Sequence, residues 1–156
     1  MFRLLSSGLV VFAGVACAPA TVSPLQFSQG SAVHQDARLD AVRGFFEKTG
    51  CPAREYAQVF LDAADDYRLD WRLLPSISFV ESTGGKAAPR NNIFGWDNGR
   101  SRFSSATAAI WGVAYQLGYS KLYRDKSLNQ LLAIYNPNPG YAAKVKSVML
   151  RIAALQ

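Results

Sequence analysis

Residues 70–85, DWRLLPSISFVESTGG, set the reading of this chain. An apolar run from Leu73 to Val80 ends on a single carboxylate, Glu81, followed at once by Ser82, Thr83 and a glycine pair. The run has the composition of a buried helix, with Asp70 as its expected cap and Gly84-Gly85 as its stop. Pro75 removes one backbone donor, so a kink or a late start is expected there. Leu74, Ile77 and Ser78 lie seven, four and three residues before Glu81, which therefore continues a face that is otherwise core. An apolar setting and the negative end of the helix dipole both disfavour a charged carboxylate there. A raised pKa is the expected result, and a carboxyl so perturbed suits a general acid.

Working outward, the remainder of the chain reads as helices. Asp36 is the expected cap of a helix with Leu39, Val42 and Phe46 on one face, ended by Thr49-Gly50. Pro52 sits in the first turn of the next, whose stripe is Tyr56, Val59, Phe60, Ala63 and Tyr67; Asp62, Asp65 and Asp66 form its solvated face. Ser104 or Ser105 caps a third pattern (Ala106, Ala109, Ile110, Val113, Leu117), rich in small residues that allow close helix approach. Leu128, Leu131, Leu132 and Tyr135 make another face, with Asp125 as the expected cap and NPNPG (136–140) as the stop. The last helix turns Val145, Val148, Met149 and Ile152 inward, and Lys144, Lys146 and Arg151 largely outward. Asn98-Gly99, between short runs containing aromatic residues, predicts a two-residue β-hairpin turn. The fold class is mainly α with one small β-hairpin.

The N-terminus reads differently. Residues 1–20 carry one positive charge, Arg3, and an apolar stretch from Leu9 to Val15 followed by small residues, the layout of a secretory signal. Ala18-Pro19-Ala20 offers cleavage before Thr21, whereas Gly14-Val15-Ala16-Cys17 resembles a lipobox that would leave a lipidated Cys17 and a membrane anchor. Residues 21–35 are Ser/Gln-rich and read as a linker, leaving 36–156 as the domain. Export is expected under either processing route, to the periplasm, the membrane surface or the medium.

Cys51 then stands alone or pairs only with Cys17, and His34 is the one histidine, so neither a disulfide framework nor an ordinary zinc site can be assembled. No nucleotide or metal motif is present and no cofactor is expected. The formal charge is +6, and loss of Arg3 with the signal leaves about +5. A basic exported protein suits anionic envelope polymers, whereas export removes nucleic acid as a partner.

Two further stretches carry chemistry. Ser82-Thr83-Gly84-Gly85 can bring backbone close to a bound sugar, and Asn91-Asn92-Ile93-Phe94-Gly95-Trp96 sets amides beside aromatic rings, a pairing suited to carbohydrate. The ordered succession YRLDWRLLPSISFVESTGG (67–85), NNIFGW (91–96), FSSATAAIWGVAYQL (103–117) and YNPNPGYAAKV (135–145) resembles the glucosaminidase domains of bacterial autolysins, glycoside hydrolase family 73 of the lysozyme-like superfamily. The segment up to FVES also resembles lytic transglycosylases. The resemblance spans roughly residues 52–150.

It implies a lysozyme-like helical domain, expected to act as a monomer, that cleaves the β-1,4 bond between N-acetylated sugars of peptidoglycan. Glu81 would be the general acid, and Tyr135 would lie near the catalytic centre. Ser82, Asn92, Phe94, Gly95 and Trp96 would belong to the sugar groove, with Tyr141 matching a later tyrosine. Family members usually carry a larger β-rich lobe where this chain has only Trp96 to Phe103. After Glu81 the only acidic residues are Asp97 and Asp125. Asp97 is the one candidate second carboxylate, or else it shapes the turn or pairs with Arg100. A single-glutamate mechanism is the expectation that follows.

Overall fold

A computed structural model describes residues 36–156; the segments read as signal, Cys17 lipobox and linker lie outside the described residues. The domain is mainly helical, and no strand occurs among the described residues. α1 (Ala37–Lys48) starts at Asp36, whose carboxylate accepts the Arg38 N–H at 2.9 Å, and ends where Thr49 Oγ donates to Phe45 O at 2.8 Å. Gly50 takes the left-handed conformation that turns the chain away. A 3-10 segment, Pro52–Tyr56, leads into α2 (Ala57–Asp66), so Tyr56 precedes the helix proper. Asp65 is exposed as expected, and it also holds the Arg38 guanidinium at 2.8 Å, tying α2 to the start of α1.

α3 (Leu73–Ser82) runs through the core, with Leu73 to Ser78 all buried. Pro75 falls in its first turn, where its missing N–H costs nothing, so the late start is realised rather than a kink. Asp70 is not the cap. Its carboxylate accepts the Arg72 N–H at 2.9 Å and pairs with the Arg72 guanidinium, which closes a turn ahead of the helix. α3 packs most extensively on α6 (Tyr141–Ala153), and α1 also lies against α6. α2 packs on α4 (Ala106–Tyr119), which Ser105 caps by accepting the Ala108 N–H at 3.0 Å. Val145, Val148, Met149 and Ile152 are buried as read. Arg151 reaches back over Phe45 and Phe79, 5.1 and 5.6 Å from their ring centroids.

Two further expectations fail. The Asn98-Gly99 hairpin is absent: Asp97, Asn98 and Gly99 all take positive φ, and Gly99 N–H returns to Gly95 O at 2.9 Å, so the chain coils instead of doubling back. Its flanks are joined by the Phe103 N–H to Arg90 O bond at 3.0 Å and by Asn91 donating to Phe103 O and Ser104 O, without a backbone ladder. The cap of α5 (Leu128–Tyr135) is Ser127, not Asp125, because Ser127 and Gln130 form a reciprocal capping box. Asp125 is almost fully exposed, 3.9 Å from Arg124.

Gly84 shows how tightly the end of α3 is seated. At φ +61 its Cβ position lies 2.9 Å from Cys51 Cβ and 3.1 Å from the Phe46 ring. Gly84→Ala is expected to cost about 2–4 kcal/mol, combining left-handed strain with overpacking. Urea unfolding of the variant measures this as a lowered midpoint at unchanged slope.

Candidate active site

Glu81 is the penultimate residue of α3, and the helix stops one residue later because Thr83 is left-handed at φ 53. Ser82 fixes what lies opposite. Its buried hydroxyl donates toward Ser78 O at 3.1 Å and Ile93 O at 2.8 Å, and accepts the Gly85 N–H at 2.9 Å. The 93–95 backbone is thereby drawn onto the helix end. At Gly95 (φ +60) a Cβ would sit 2.5 Å from Glu81 Oε2, so any other residue would displace the carboxylate and carry left-handed strain besides.

Tyr135, the last residue of α5, clamps the same loop by donating to Phe94 O at 2.6 Å. Trp96 lies edge-on to Tyr135 with centroids 5.6 Å apart, and Tyr141 stacks on Tyr135 at 6.0 Å and an interplanar angle of 7°. The buried Tyr141 hydroxyl has no well-formed hydrogen bond, and the Glu81 carboxylate is the acceptor it faces.

These elements enclose a groove of about 780 Å³, within the usual range for ligand sites. Glu81, Gly95, Tyr135, Trp96 to Gly99, Ser101, Tyr123 and Asn136 to Asn138 line it. A smaller hollow of about 220 Å³ shares Glu81, Asn136 and Asn138 with it and adds Val80, Pro139, Tyr141 and Lys144. Glu81 therefore borders open space on two sides.

Loss of water pushes the Glu81 carboxyl above its ordinary range, and the Tyr141 hydroxyl offsets part of this. Burial, followed by the nearby Glu81 charge, pushes the Tyr135 phenol well up, and burial, followed by the Glu81 carboxylate it faces, moves the Tyr141 phenol the same way. All of these shifts favour neutral phenols around a carboxyl that readily holds its proton.

The residues named from sequence divide into two groups. Glu81, Gly95, Trp96, Asp97 and Tyr135 line the groove, and Tyr141 lines the adjoining hollow. Ser82, Asn92 and Phe94 do not line either space. Phe94 is fully buried with its ring against Phe60, and only its carbonyl serves the site. Asn92 is buried and spends both amide hydrogens on Trp96 O and Ser101 O, while its oxygen accepts Trp96 N–H. These two shape the groove wall instead of meeting a ligand.

Asp97, at the rim, is held by Arg100 at 2.5 Å. Tyr123, Ser101, Asn136 and Asn138 went unnamed as site residues in the sequence. The NPNPG run directly after Tyr135 was the available signal for the two asparagines. No protein-family model, curated protein or solved structure matches the chain.

The pH dependence of stability follows from the carboxyl's setting. A carboxyl with a raised folded-state pKa is protonated more readily folded than unfolded. Stability is therefore lost as pH rises through that pKa. Glu81→Gln is expected to be more stable than wild type at pH 7, with the difference closing as pH falls through the raised folded-state pKa towards 4.5, the ordinary glutamate value. Thermal midpoints of both proteins across this range measure it.

Proposed function

We propose that the chain is a lysozyme-like glycosidase that cuts the β-1,4 bond between N-acetylated sugars of peptidoglycan, with Glu81 as general acid and base. The observation that carries this reading is a carboxyl with a raised pKa, covered by the Gly95 backbone and opening on a groove of aromatic rings and amides. Residues 1–20, read as a secretory signal, bring the enzyme to this polymer, and the net positive charge suits it.

Protonated Glu81 donates to the glycosidic oxygen as the bond to the anomeric carbon breaks. Asp97 is the only other carboxylate lining the groove, and its Arg100 partner commits it to the rim. A paired-carboxylate scheme, which sets a defined separation between two acids, thus has no second free group to use. The substrate's own N-acetyl oxygen attacks the anomeric carbon and carries the positive charge in a cyclic intermediate. Tyr135, whose proton is held by Phe94 O, turns oxygen lone-pair density toward that charge.

Glu81, now a carboxylate, takes the proton from the attacking hydroxyl and is restored. Water as nucleophile gives a reducing end. The sugar's own 6-hydroxyl gives a 1,6-anhydro end, the lytic transglycosylase outcome.

Clearing of purified cell walls is expected to fall by about 10²- to 10⁴-fold in Glu81→Gln, the usual span for a lost general acid. Asp97→Asn is expected to stay within about threefold, since the rim pair lies outside the proposed chemistry. Equal clearing by wild type and Glu81→Gln would remove Glu81 from the mechanism, and binding without clearing by either would make the domain a glycan-binding module. Mass spectrometry of the digest separates the two nucleophiles: abundant 1,6-anhydro ends exclude simple hydrolysis.

A further inference from the structure

Three of the four exposed large hydrophobic side chains among the described residues, Tyr115, Tyr119 and Leu122, fall within eight residues at the end of α4 and the turn after it. Tyr115 and Tyr119 are one helical turn apart and share a face, 50% and 52% exposed. Tyr67, just past α2, stands edge-on to both, with ring centroids 5.9 and 5.3 Å away at 83° and 86°. The two α4 rings are themselves 6.0 Å apart at 89°. Gly118 makes this seat, since a Cβ there would lie 2.7 Å from Tyr67 O and 2.9 Å from Tyr67 Cβ. Mutual edge-to-face contacts fix the rings while Tyr115 and Tyr119 stay half exposed.

A cluster of half-exposed aromatic rings offers an interaction surface. Rigid tyrosines bury a large area at low entropic cost and offer both an apolar face and a polar tip, which matches the C–H faces and hydroxyls of pyranose rings. The adjoining turn supplies charge: Lys121, Arg124 and Lys126 are exposed, against Asp125 alone. The same turn carries Tyr123, which lines the groove. Tyr123 follows Tyr119 by four positions, at most about 14 Å of backbone.

We propose that Tyr67, Tyr115 and Tyr119 form a second glycan-binding surface beside the groove, which holds the peptidoglycan network while the cationic turn meets its stem-peptide carboxylates. The choice of polymer rests on the glycan reading of the groove. Charge complementarity and continuity with the groove wall through Tyr123 select it over an apolar protein partner. The surface acts on retention of the insoluble polymer, not on bond cleavage.

The test is cosedimentation of the full chain with purified peptidoglycan sacculi, in a Glu81→Gln background so that the polymer survives. Tyr115→Ala/Tyr119→Ala is expected to raise the half-saturating sacculus concentration about tenfold. Tyr115→Phe/Tyr119→Phe, which keeps the rings, is expected to stay within about threefold and also reports that the face still folds. Unchanged binding by the alanine variant, or an equal loss in both variants, overturns the proposal. So does a defect seen only on anionic lipid vesicles, or one traced by light scattering to lost self-association. Digestion of the same sacculi with Glu81 intact reads the groove separately: binding through the tyrosines without digestion would leave this surface standing and remove the catalytic reading.

Discussion

The hydroxyl of Ser82 holds the site together. By bonding Ile93 O and Gly85 N–H from the last turn of α3, it brings two separate stretches of chain to the helix end. Gly95 can then lie against the Glu81 carboxylate, and Phe94 O comes within reach of Tyr135 on α5. Three helices, α3, α5 and α6, thus meet at one carboxyl through one hydroxyl and two tyrosines. Ser82 carries out this work while buried, so its place beside Glu81 in the sequence reflects construction and not contact with a ligand.

That construction has an energetic consequence. A half-buried carboxyl without a cationic partner is costly to ionise, and a stability-driven sequence would replace it. The surrounding phenols are neutral donors, which permit a proton to be held and released without the fixed ion pair that would pin the carboxylate charged. On the proposed reading this is the source of the acid function, and the lone carboxylate assigns the second half of the chemistry to the substrate's N-acetyl group. Asp97 illustrates the contrast: exposed at the rim and paired with Arg100, it has none of Glu81's covering.

Much of the helical frame was legible because 3.6-residue periodicity and capping act locally. Val42 and Phe46, the Val145-to-Ile152 face and the Asp36 cap read directly, and the α4 cap to within one residue, Ser104 or Ser105. The hairpin misled because Asn98-Gly99 signals positive φ, a requirement that a coiled left-handed turn shares with a hairpin turn. The α5 cap falls at Ser127 and not at Asp125, and Gln130, three residues beyond the serine, carried that capping-box signal in the sequence. At the site, Glu81's setting followed from its helix face, but the fates of Phe94 and Asn92 did not. Whether an aromatic beside a loop faces a groove or the core depends on Phe60, 34 positions away in sequence. Tyr123, Asn136 and Asn138 likewise join the groove only when the chain returns past α4 and α5.

The central claim is that burial beneath the Gly95 backbone, not an ion pair, sets the proton affinity of Glu81. Carbon-13 NMR titration of the Glu81 carboxyl in the ligand-free protein tests it most directly. A midpoint above 4.5, the ordinary value, is expected. A midpoint at or below that value would contradict the account, because a solvated or charge-paired carboxylate could not hold its proton where the proposed acid must donate it.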